Sequence, residues 1–177
     1  MQKLLQDVIV LVKETGEFIR QESRKFDHSK IEYKGKNDLV SYVDKEAEKR
    51  LVKGLSEILP GSGFVAEEGT STHRSDIYNW IIDPLDGTTN FTHGLPVYAV
   101  SVALVKRGVL TLGVVYEINR DECFHAIKDQ GAFLNHSPIK VSETKTLEKA
   151  LLATGFPYYN FDQMQQYLTI INEFMQT

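Results

Sequence analysis

Apolar residues at Leu4, Val8, Leu11, Val12, Phe18 and Ile19, with Thr15 on the same face, recur every three or four positions and predict a first amphipathic helix. The polar segment Lys34-Gly35-Lys36-Asn37 ends it. Ala47, Leu51, Leu55 and Ile58 repeat the spacing and predict a second helix that opens near Asp44 and stops at Pro60-Gly61. Phe64-Val65-Ala66 reads as a short strand ending at Glu67-Glu68-Gly69. Residues 70–78 are polar and read as a loop, and residues 80–83 as the next strand. From Val97 onward the pattern becomes β-rich. Runs at 97–105, 109–116, 123–127 and 132–134 are separated by Lys106-Arg107-Gly108, Asn119-Arg120-Asp121 and Lys128-Asp129-Gln130-Gly131. Turns this short join antiparallel neighbours, so a meander is expected. Residues 151–155 suggest a further strand. Met164, Leu168, Ile171 and Met175 mark a last helix, with Asn160 and Gln163 spaced as a capping box. The expected class is α+β, with helices packed on a largely antiparallel sheet.

Composition narrows the function classes. The chain has 177 residues, enough for one domain with a substantial core. Its net charge of -4 does not favour a nucleic-acid polymer or an anionic membrane surface. The longest apolar runs, such as 8–12, are far too short to cross a bilayer. The apolar residues of the N-terminus are interrupted by Gln6, Asp7, Lys13 and Glu14, which is unlike a signal peptide. Cys123 is the only cysteine, so no internal disulfide can form and a cytoplasmic location is expected.

The chemistry concentrates in Trp80-Ile81-Ile82-Asp83-Pro84-Leu85-Asp86-Gly87-Thr88-Thr89-Asn90-Phe91. An apolar strand delivers two aspartates spaced i, i+3, which converge if the chain turns between them. Pro84 fixes one φ and Gly87 permits close backbone approach. Converging carboxylates repel unless a proton or a cation sits between them, and oxygen-only donors suit a hard cation such as Mg²⁺. Glu67 and Glu68 also end a strand and can bring a further acid to the same edge. Asp44 opens a helix, where its default role is a cap. A helix beginning near Gly87-Thr88 would turn its free N–H groups toward an anion. His28, His73, His93, His125 and His136 are scattered without metal-ligand spacing, and Cys123 has no evident base partner. Enzymes that form an aspartyl-phosphate use aspartates at i and i+2. The i, i+3 spacing across a proline argues instead for attack by water.

These residues resemble the inositol monophosphatase family. The resemblance rests on Asp83-Pro84-Leu85-Asp86-Gly87-Thr88-Thr89-Asn90-Phe91, on Ala66-Glu67-Glu68-Gly69, and on the segment from Asn37 through Asp44 to Glu48. It implies the N-terminal part of a layered αβαβα sugar-phosphatase fold. It also implies Mg²⁺-dependent, lithium-sensitive hydrolysis of a small phosphate monoester by metal-activated water, and a homodimer. Inositol monophosphate is the expected substrate. A nucleotide 3′-phosphate, NADP or fructose bisphosphate is the alternative. Carried over, Glu67, Asp83, the Leu85 carbonyl and Asp86 are metal ligands. Thr88, supported by Asp44, and Glu67 are catalytic, while Asp86, Gly87, Thr88 and Glu67 contact the substrate phosphate. Glu68 neighbours the metal site.

Family members carry a later Trp-Asp motif whose aspartate completes a second metal site. Here the single tryptophan, Trp80, precedes isoleucine. The expectation is therefore that residues 1–177 form the N-terminal metal-binding domain without the C-terminal domain. On that reading the chain alone has doubtful activity, and an inactive metal- and phosphate-binding fragment is a further alternative.

Overall fold

The computed structural model describes residues 1–26, 31–35, 38–71, 73–157 and 160–176, with the backbone alone over 31–35 and 38–40. His28, Lys36 and Asn37, singled out in the sequence, lie outside the described residues. The chain forms two compact units: Met1–Lys34 with Asp38–Ile139, and Gly35–Asn37 with Lys140–Thr177.

In the first unit, helix α1 (Gln2–Ser23) is followed by β1 (Ile31–Gly35) and β2 (Asp38–Ser41), which pair as a two-stranded sheet. Helix α2 (Tyr42–Ile58) comes next. Then β3 (Gly63–Ala66), β4 (Tyr78–Asp86), β5 (Ala99–Lys106), β6 (Val109–Glu117), β7 (Glu122–Ile127), β8 (Ala132–Leu134) and β9 (Ser137–Ile139) form a seven-stranded sheet in sequence order. A five-residue helix, α3 (Thr88–Thr92), separates β4 from β5. Only β3 and β4 are parallel; every later pair is antiparallel, as short turns require. The pair β1 and β2 and the short β9 add strands to those the periodicity marks.

Alternation along the strands sends one face inward. Trp80, Ile82, Val100, Val102, Leu104, Leu112, Val114 and Tyr116 join Leu5, Val8, Val12 and Ile19 of α1, and Val43, Ala47, Leu51 and Leu55 of α2, in one buried core. Trp80 is fully buried because its indole N–H finds the Ser62 hydroxyl at 3.0 Å. Asp83 and Asp86 pair with Ser101 and Ala99, which alternate with the buried Val100 and Val102, so they lie on the face of the sheet away from α1 and α2.

The second unit contains a 3-10 turn at Leu147–Lys149 and helix α4 (Met164–Gln176). Two expectations fail there. Residues 151–155 form no strand, and Leu151 is fully exposed. Asn160 does not build a capping box with Gln163; its side chain accepts the Asp162 N–H at 2.7 Å in a local turn. Among the described residues no helix is long and apolar enough to cross a membrane.

Candidate active site

The site forms where β3 and β4 end side by side. Their parallel register pairs Ala66 with Ile82, and the Glu67 N–H continues the ladder to the Ile82 carbonyl at 3.3 Å. Glu67 therefore follows β3 at the level of Asp83, and the two carboxyl groups share a hydrogen bond. Burial, followed by that hydrogen bond and the charges of Glu67 and Asp86, pushes Asp83 up from 3.8 to about 8.

A β-bulge brings Asp86 to the same face. In a regular strand, residues i and i+3 point to opposite faces. Here Asp83 pairs with Ser101 and Asp86 with Ala99, so three steps along β4 match two along β5. The extra residue restores both aspartates to one face. It also explains a proline in a strand with neighbours on both sides, since the bulge takes Pro84 out of the regular ladder. The sequence pointed to a turn at this position; the structure makes convergence with a bulge instead. Leu85 is buried, and its N–H donates to Asp83 Oδ1 at 3.2 Å.

Gly87 closes the strand at φ +99, where a side chain is strained, and a Cβ there would lie 3.0 Å from the Val97 carbonyl oxygen. Thr88 follows. Its hydroxyl lies 2.7 Å from Asp44 Oδ1 and 3.0 Å from the Leu85 carbonyl oxygen. It has one proton, and both neighbours are acceptors, so that proton is committed and only its lone pairs remain for a further partner. Asp44 is buried at the start of α2. Its Oδ2 accepts the Ser41 N–H at 2.9 Å and the Ser41 hydroxyl at 2.5 Å. The capping role and the contact with Thr88 thus use different oxygens of one carboxylate.

One residue escaped the sequence reading. Glu48, one turn after Asp44, is completely buried and accepts the N–H groups of Glu68 at 2.6 Å and Thr70 at 2.7 Å. The signal was available: Asp44, Glu48, Leu51 and Leu55 share the inward face of α2, and an acid in an apolar stripe needs a buried partner. His93 turns its Nδ1 to the Thr89 carbonyl oxygen at 2.9 Å. Cys123 is buried, which pushes its thiol pKa up and makes it a poor nucleophile.

Among the described residues no three His, Cys, Asp or Glu side chains stand as a ready metal cage. The donor chemistry nonetheless fits a hard divalent cation. The donors are oxygens, and burial together with the charges of Glu67 and Asp86 pushes the Asp83 carboxyl toward its neutral form, a penalty that a cation relieves.

This scaffold is shared with solved phosphatase-family structures. It superposes on the extragenic suppressor protein SuhB of Bartonella henselae with a TM-score of 0.90 at 33% identity, covering 98% of this chain and 67% of that one. The inositol monophosphatase family model matches residues 1–176, and the chain belongs to that family of metal-dependent phosphatases. A putative Nus factor SuhB of Neisseria meningitidis is 38% identical over 176 residues, covering 99% of this chain and 67% of the relative. Inositol monophosphatase 3 of Solanum lycopersicum is 42% identical over 158 residues, 87% of this chain and 58% of the relative. The chain thus spans about two thirds of the first relative and less of the second.

Proposed function

We propose that this chain carries a Mg²⁺-dependent phosphomonoesterase centre for a small phosphorylated sugar or polyol, inositol monophosphate foremost. The observation that carries the reading is the placement of Glu67 and Asp83 side by side at the paired ends of β3 and β4, near a Thr88 hydroxyl already committed to Asp44. Glu67, Asp83, Asp86 and the Leu85 carbonyl oxygen would hold the metal. Mg²⁺ supplies charge neutralisation for the phosphoryl group and lowers the pKa of water toward neutrality.

The protein's own residues supply orientation. Because Thr88 donates its hydrogen bond to Asp44, its oxygen would accept a hydrogen bond from water and so aim that water's lone pair at phosphorus. Asp44 stays fixed because Ser41 binds its other oxygen. Glu67 sits beside Asp83 and assists the same water. The N–H groups of Gly87 and Thr88, with Asp86 alongside, would receive phosphate oxygens, and Gly87 supplies the positive φ that this turn requires. The reading extends to inhibition by Li⁺, to a homodimer and to a cytoplasmic setting, the last supported by the single buried thiol.

A second reading is a centre that binds metal and phosphate without efficient turnover. The Nus factor name of the Neisseria relative is compatible with a partner-binding role of that kind. Phosphate release from inositol 1-phosphate, fructose 1,6-bisphosphate, adenosine 3′,5′-bisphosphate and NADP separates these readings. Mg²⁺-dependent release from inositol 1-phosphate that is lost in Asp83→Asn supports the first. Turnover of the adenosine compound with inositol phosphate inert moves the substrate to the alternative class. Mg²⁺ binding without turnover of any of the four supports the second.

A further inference from the structure

We infer that Glu48 is a positioning residue that holds the Glu67 turn in register with Asp83 and so sets the metal affinity of the centre. The inference rests on the metal-binding reading above and adds to it a residue outside the proposed ligand set.

The argument starts from cost. A carboxylate buried in an apolar helix face is unfavourable unless hydrogen bonds replace its water. Glu48 is 0% exposed, and its two oxygens are used separately: Oε2 accepts the Glu68 N–H at 2.6 Å and Oε1 accepts the Thr70 N–H at 2.7 Å. Both amides belong to the turn directly after Glu67. Two backbone bonds tie that turn to the strands. The Glu67 N–H reaches Ile82 at 3.3 Å and the Gly69 N–H reaches Ala66 at 3.3 Å, both at the long end for such bonds. The bonds to Glu48 are much shorter than these two and anchor the turn more firmly than they do, because bonds to a charged acceptor are the stronger kind.

The placement of Glu48 also joins the two halves of the site. Residues four apart on a helix share a face. Asp44 takes the Thr88 hydroxyl and, one turn later, Glu48 takes the Glu67–Thr70 turn. One rigid helix thus sets the distance between the group proposed to orient water and the proposed metal ligand. Glutamine has the shape of glutamate but only one acceptor oxygen, so in Glu48→Gln one of the two amides would face an NH₂ group.

The test uses Mn²⁺ alone as the probe, with affinity read by paramagnetic resonance on the intact chain. Glu48→Gln is expected to weaken Mn²⁺ binding by roughly tenfold or more, the scale of one lost charge-assisted hydrogen bond. Faster hydrogen exchange at the Glu68 and Thr70 amides is expected to accompany it. A purely structural role would lower the melting temperature and leave the Mn²⁺ affinity of the folded variant unchanged; that result overturns the inference. If the variant does not fold, the wild-type chain decides. Adding Mg²⁺ is then expected to slow exchange at Glu68 and Thr70, and unchanged exchange would overturn the inference. A wild-type chain that binds no Mn²⁺ overturns the metal reading itself, a result distinct from equal binding by both proteins.

Discussion

Asp83 is where charge, burial and function meet. In the folded, metal-free chain it keeps its proton up to about pH 8, whereas in the unfolded chain it would lose it near 3.8. Between those values the folded state binds more protons, so stability falls as pH rises. The melting temperature of the metal-free protein is expected to decline between about pH 5 and pH 8, and Asp83→Asn is expected to remove that part of the decline. Identical pH profiles for the two proteins would show that Asp83 is not the group responsible. Thr88 makes a separate point. Thr88→Val keeps the shape but removes the oxygen proposed to accept a hydrogen bond from water. A loss of roughly a hundredfold or more in turnover, with Mg²⁺ affinity little changed, is expected from the usual worth of a positioned proton acceptor. A parallel loss of metal affinity would argue that Thr88 acts through the ligand set instead.

At the level of elements, α1 provides the sharpest stability test. Gly16 sits in the middle of this 22-residue helix, where alanine is favoured by about 1 kcal/mol. A Cβ there would meet the Tyr116 ring at 2.5 Å. That ring is held in place, because its hydroxyl donates to Asp121 at 2.9 Å and accepts from Arg20 at 3.2 Å. Gly16→Ala is therefore expected to destabilise the protein by about 1–3 kcal/mol, read by urea unfolding, despite the gain in helix propensity. A neutral or stabilising result would mean that β6 yields to the helix. The elements also mark how far the sequence could be read. Both long helices and strands β3 to β8 show in the spacing of apolar residues, because each buries one face against a common core. The bulge between Asp83 and Asp86 does not show, since it depends on pairing with Ser101 and Ala99 from a strand further along the chain. The sequence singled out Asp44 and Thr88 separately. Their contact spans 44 positions, so its geometry was not legible. Residues 151–155 were misread because local β character forms a strand only where a partner completes the ladder.

Within the first unit, α1 and α2 cover one face of the sheet, and the candidate site gathers where β3 and β4 end. Metal and phosphate would be held by neighbouring parts of β3, β4 and the turn at Gly87, so their binding should be coupled. Mg²⁺ and inorganic phosphate together are expected to raise the melting temperature by more than the sum of their separate effects, because each ligand stabilises the state the other binds. Additive shifts would place the two ligands at independent sites.

Centrally, Glu67, Asp83 and Asp86 are proposed to hold a divalent cation that displaces the proton burial keeps on Asp83. Titration calorimetry of Mg²⁺ into the intact chain at pH 7, repeated in buffers of different ionisation enthalpy, tests this directly. Saturable binding with release of close to one proton is expected in the wild type, with both binding and release lost in Asp83→Asn. Binding without proton release, or equal binding by the variant, would contradict the account.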